Sequence, residues 1–212
     1  MPLNKLILFI ICVTLSVLQS QQSFGIRDSL YINMPLSKKI LWGENGLIRK
    51  LDCAPKTRTE DIKLRHKMLK THQKLGLLTL GMMTYQSYLG MQMVDGGKRF
   101  EYSDRHRMLG YSTFLTYMTT ASLSIGAPPA FRYSKGVSSI KIHRFLSYIH
   151  FAGMICMPYL GYLTAGNLDD DLSNCPNGIC SNYSNKAEKA HRLIGNITVA
   201  TFSLAFLTTL LP

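Results

Sequence analysis

The stretch His72-Gln-Lys-Leu-Gly76, with uncharged sequence running on to Met93, decides the reading of this 212-residue chain. The pattern is a histidine, two residues, a leucine or isoleucine, then a very small residue at the mouth of an uncharged run. It returns as His106-Arg-Met-Leu-Gly110, His143-Arg-Phe-Leu-Ser147 and His191-Arg-Leu-Ile-Gly195. One histidine at a helix mouth is ordinarily an interfacial polar residue. The chain holds only six histidines, so four in corresponding places form an internal repeat.

The runs behind the histidines have the length of membrane helices. Leu75 to Met93 is 19 residues without a charge, Met108 to Ala127 is 20, Phe145 to Leu168 is 24 and Leu193 to Pro212 is 20. A bilayer core needs roughly 20 apolar residues of helix. Thr, Ser and Gly interrupt all four runs, and Tyr and Met the first three, which suits faces turned toward other helices or a cofactor rather than toward lipid. Short connections make successive helices antiparallel neighbours. The expected fold is an all-α membrane protein, a four-helix up-down-up-down transmembrane bundle over residues 71–212.

Two further segments precede the bundle. Residues 1–25 read as a signal peptide: Lys5, an apolar run from Leu6 to Leu18, and Ser23 and Gly25 as a small-x-small cleavage site. The alternative is an uncleaved fifth helix. Residues 26–70 form a basic polar segment, too short for an independent enzyme domain. Within it, Leu36 to Leu51 mixes Ile40, Leu41, Trp42, Leu47, Ile48 and Leu51 with Lys38, Lys39, Arg49 and Lys50. That pattern fits either a segment lying in the membrane interface with Trp42 at headgroup depth, or a short cap packed on the helices. Glu60 to Lys74 reads as a charged helix running into the first span.

Hydrophobic residues make up 46% of the chain, the mean hydropathy is +0.05 and the net charge is +12. The basic residues gather beside apolar spans, so lipid headgroups and haem propionates are better counter-charges than nucleic acid. The sequence contains no phosphate loop, dinucleotide fingerprint, zinc-finger spacing or His-Glu-x-x-His. Of the five cysteines, Cys175 and Cys180 flank Pro-Asn-Gly-Ile in the longest loop and suit a small disulfide or free thiols. Sidedness draws two opposed signals. The segment before the first span and the loop Pro128–Arg144 together hold 16 Lys and Arg against seven in the other two loops, which places them in the cytoplasm; a cleaved signal peptide would export them.

The histidines carry the chemistry. In alternating helices, the first and third histidines lie in one layer and the second and fourth in the other. His72 with His143, and His106 with His191, are then two bis-imidazole ligand pairs for two haem b groups. Gly76, Gly110, Ser147 and Gly195 lie one turn along on each histidine's face and leave space for a macrocycle. Arg107, Arg144 and Arg192 follow their histidines and are placed to pair with propionates. His150, two turns beyond His143, is an alternative ligand on the third helix or a hydrogen-bonding residue within the bundle. His66 is read as solvated.

On these four motifs the region from about residue 70 to 212 resembles the cytochrome b561 family. In that family a histidine begins each of four core helices, and the first pairs with the third and the second with the fourth. The resemblance implies electron transfer across a membrane by an oxidoreductase or electron carrier. The 48-residue interval between His143 and His191 is longer than the family's, and no ascorbate-site motif is present, so donor and acceptor are not carried over. The expected partners are membrane lipid and an electron donor and acceptor that the residues do not identify, with the chain acting as a homodimer or as a subunit of a redox complex. The expected location is a multi-pass place in a membrane, the plasma (inner) membrane in a bacterium. Two other functions are open: a haem-free structural or assembly subunit of a membrane complex, and the cytochrome subunit of a quinone-linked dehydrogenase.

Overall fold

The computed structural model describes residues 34–95, 97–130, 137–173 and 181–210. Residues 1–25, expected as a signal peptide or a fifth helix, and the Cys175–Cys180 loop lie outside the described residues. Among those described, every regular element is a helix. Two are short, α1 (Leu36–Trp42) and α2 (Leu47–Lys50). Four are long: α3 (Arg58–Val94), α4 (Arg99–Gly126), α5 (Ser139–Ser173) and α6 (Ser181–Thr208).

The long helices overrun the uncharged stretches. α3 begins at Arg58, so the charged segment from Glu60 to Lys74 and the run behind it form one helix of 37 residues. Its start is a capping box: the Glu60 amide donates to the Thr57 hydroxyl at 3.3 Å, and the Thr57 amide donates to the Glu60 carboxylate at 3.2 Å. α3 gives way to α4 at Gly97, whose φ of +64° favours glycine.

The expectation of four transmembrane helices holds in its coarser half: the fold is all-α with four long helices where four were expected. Among the described residues, one stretch, Lys186–Thr208 in α6, is long and apolar enough to cross a membrane by length and composition. The other helices are diluted by hydroxyl-bearing residues. Many of those hydroxyls bond back to a carbonyl one turn earlier, as Thr84 does to Leu80 (2.9 Å), Thr113 to Leu109 (2.7 Å) and Thr164 to Leu160 (2.8 Å). A hydroxyl satisfied by its own helix is less polar than a hydropathy sum credits.

The chain divides into two compact units. The first comprises residues up to Gly76 and Met118–Ser138. Here α1 packs on the C-terminal end of α4. The Lys38 ammonium donates to the carbonyls of Ser124 (2.8 Å), Ile125 (3.0 Å) and Ala127, and the Trp42 indole donates to Gly126 (3.0 Å). Arg65 and Arg58 reach the carbonyls of Pro128 (2.6 Å) and Pro129 (3.1 Å). A helix ends with unsatisfied carbonyls and partial negative charge, and cations complete it. Of the two sequence readings of Leu36–Leu51, the cap describes Trp42, which is 2% exposed and does not sit at an outer surface.

The second unit comprises Leu77–Tyr117 and Ser139–Pro212. α5 and α6 run antiparallel: His143 lies by Ala205, Gly153 by Thr198 and Gly161 by His191. Gly153 permits the closest approach, because a β-carbon there would collide with the Thr198 hydroxyl. Pro158 lies inside α5. Leu89, Leu160, Tyr117, Phe202 and Ala205 are buried.

Candidate functional site

His106 on α4 and His191 on α6 face each other in the second unit. Their ring centres are 6.2 Å apart, with the planes inclined at 63°. The Nδ1 of each ring is buried and has no hydrogen-bond partner. A buried polar nitrogen left unmet costs free energy unless water or a metal takes it.

The surroundings of the two rings match. Gly90 of α3 lies against His106, where an added β-carbon would stand 3.4 Å from the ring's Cε1. Gly161 of α5 lies against His191 in the same way, at 3.6 Å. Sequence reasoning missed both glycines, yet the signal was present. Tyr88-Leu89-Gly90 ends eighteen residues after His72, and Tyr159-Leu160-Gly161 ends eighteen residues after His143.

The glycines one turn beyond the histidines have other neighbours. A β-carbon on Gly110 would meet the Gln86 amide at 2.9 Å, and one on Gly195 would meet the Met157 methyl at 3.3 Å. Gln86 and Met157 are themselves equivalent in the repeat, each fourteen residues beyond a motif histidine. Gln86 binds His106 directly: its Nε2 donates to the His106 carbonyl at 3.0 Å and lies 3.3 Å from the ring's Nε2. Gly76 is buried, with the Thr120 methyl at 4.0 Å from an added β-carbon, and the Ser147 hydroxyl donates to the Arg144 carbonyl at 2.7 Å.

His72 and His143 belong to different units but have equivalent surroundings. The His72 Nδ1–H donates to the Thr120 carbonyl, and the His143 Nδ1–H donates to the Ala205 carbonyl, both at 2.8 Å. Thr120 and Ala205 each stand fourteen residues beyond a motif histidine, His106 and His191 respectively. A ring whose Nδ1 donates to a carbonyl carries its lone pair on Nε2, the usual supporting contact of a metal-ligating histidine.

Arg192 pairs with Asp95 at 3.6 Å and Arg107 with Asp104 at 2.9 Å, both exposed pairs. The Arg144 side chain is half-buried, and His66 is exposed. His150 is buried, and its Nδ1 is hydrogen bonded to the Tyr117 hydroxyl at 2.7 Å, with Phe202 edge-on at 5.0 Å. Its repeat equivalent on α3 is Thr79, and that of Tyr117 on α6 is Phe202, so this polar pair departs from the internal symmetry.

Two imidazoles on opposite sides of one metal, with bonds of about 2 Å and roughly 1 Å from nitrogen to ring centre, have centres about 6 Å apart. The ring centres of His106 and His191 stand at that distance and each ring keeps an unpartnered nitrogen, an arrangement compatible with a shared iron. Among the described residues no group of three or more His, Cys, Asp and Glu gathers to hold a bare metal ion. The chain matches no family model, no curated protein and no solved structure.

Proposed function

We propose that the chain is a cytochrome b561-like transmembrane electron carrier that binds two b-type haems. The observation that carries this reading is the His106–His191 pair, 6.2 Å apart with an unmet buried nitrogen on each ring. The sequence repeat assigns the other haem to His72 and His143.

A haem bound at such a pair supplies one-electron chemistry between ferric and ferrous iron. The chain's own residues bind and orient. Gly90 and Gly161 let the neighbouring helices approach the imidazole edges. The carbonyls of Thr120 and Ala205 hold His72 and His143 in one tautomer and one orientation. Gln86 donates to the His106 backbone carbonyl from α3. Arg107, Arg144 and Arg192 stand next to their histidines, where propionate charge would be met by cations. Arg107 and Arg192 hold exposed acidic partners, and exposed ion pairs are exchanged at little cost.

The four-helix transmembrane bundle is part of the same proposal. It is supported by the four uncharged runs of 19 to 24 residues, by hydroxyls satisfied within their own helices and by the antiparallel packing of α5 and α6. The test is an optical spectrum of detergent-purified protein before and after dithionite, with haem measured against protein. Two haems per chain with reduced b-type bands are expected. A colourless protein overturns the reading in favour of a haem-free assembly subunit.

A further inference from the structure

α1 is amphipathic in the opposite sense to a helix on a water-facing surface. Its inward stripe is Lys38 and Trp42, four residues apart, spent on the carbonyls of Ser124 to Ala127. The stripe about 160° around the helix is Leu36 and Ile40, 43% and 59% exposed. α2, packed against α1, exposes two further apolar side chains, Leu47 and Leu51, at 52% and 63%. Lys39, Arg49 and Lys50 are exposed beside it, and Arg49 is steadied by donating Nε–H to the Trp42 carbonyl at 3.3 Å. The acidic residues nearby are Glu44 and Asp52.

We propose that this face of α1 and α2 seats on the anionic headgroup layer of the membrane, with Leu36, Ile40, Leu47 and Leu51 entering the acyl boundary. This rests on the reading of α4 as a membrane helix. The cap docks on Ser124 to Ala127, where the uncharged run of α4 ends and Pro128-Pro129 begins, so it lies at the depth at which that helix leaves the bilayer. Apolar side chains ringed by lysine and arginine are the composition of an interfacial segment, and anionic lipid attracts each nearby cation. A second copy is the poorer occupant. A two-fold contact of this face with itself brings Lys39, Arg49 and Lys50 against their own equivalents.

The test uses the full chain with its five native cysteines replaced by serine and a spin label at Ile40→Cys. It is reconstituted in nanodiscs of neutral lipid or of neutral lipid with a quarter phosphatidylglycerol. The oxygen-to-nickel collision ratio of the label should be about threefold higher in the anionic discs, and K39Q/R49Q/K50Q should remove the difference. Trp42 is the chain's only tryptophan, and unchanged emission shows that the cap stays docked in each variant. An aqueous label in both lipids overturns the proposal. So does a label immobilised alike in both lipids, which would mark a protein contact. Alkaline extraction separates this failure from that of the membrane reading. A chain that stays in the membrane with an aqueous label loses only this proposal; a chain that is extracted loses the four-span bundle.

Discussion

The imidazoles of His106 and His191 stand with their centres 6.2 Å apart and their planes at 63°. Eighty-five residues separate them in sequence, and they come from α4 and α6, helices not adjacent in the chain. Two neutral imidazoles gain little from facing each other with a buried nitrogen unmet on each. A shared iron would turn that cost into the reason for the arrangement.

His106→Ala and His191→Ala should therefore remove the same haem, leaving one haem per chain with an unchanged midpoint potential. By the sequence repeat, His72→Ala and His143→Ala should remove the other. A redox titration followed at the b-type bands identifies the component lost. If His106→Ala and His191→Ala removed different components, the pairing would be wrong.

Glycine substitutions should sort by what each glycine touches. Gly90→Leu and Gly161→Leu push into the imidazole edges, 3.4 and 3.6 Å from a first added carbon, and should lower haem occupancy at the His106–His191 pair severalfold. Gly110→Leu and Gly195→Leu meet the tips of Gln86 and Met157, flexible side chains that can turn away. Their loss of haem should be smaller. Haem per folded chain measures both, and equal losses at all four positions would show that the two kinds of glycine do the same work.

Lys38→Met should loosen the cap. It leaves the carbonyls of Ser124, Ile125 and Ala127 without their shared cation, a loss of about 2 kcal/mol for a charged hydrogen-bonding group. The readout is the emission of Trp42, which should shift to the red as its indole leaves the end of α4. An unshifted spectrum and an unchanged melting temperature would mean that the ammonium is dispensable.

Tyr117→Phe removes the hydroxyl bonded to His150 at 2.7 Å. It should cost about 1 kcal/mol of stability and leave both haems in place. His150→Ala should likewise retain two haems. Loss of a haem in His150→Ala, with retention in His143→Ala, would transfer the ligand role on α5 from His143 to His150.

What the sequence determined by itself was the count, the spacing and the class. Four histidine motifs with an uncharged run of about 20 residues behind each were legible as four long helices, the element that pairs its backbone groups within one segment. The helix from Glu60 through Lys74 was legible because no glycine or proline lies within that segment. The deeper repeat was also written there, in Tyr88-Leu89-Gly90 and Tyr159-Leu160-Gly161. Only the tertiary structure decided what those residues meet. It set Gly90 and Gly161 against the histidine rings, and Gln86 and Met157 against the glycines one turn beyond, because a contact between helices depends on rotation about each axis and on depth. Neither appears in a residue pattern. The same holds for Lys38. A lysine amid apolar residues reads as interfacial until the end of α4, more than eighty residues on, is seen to present it with three carbonyls, and burying a charge then becomes favourable.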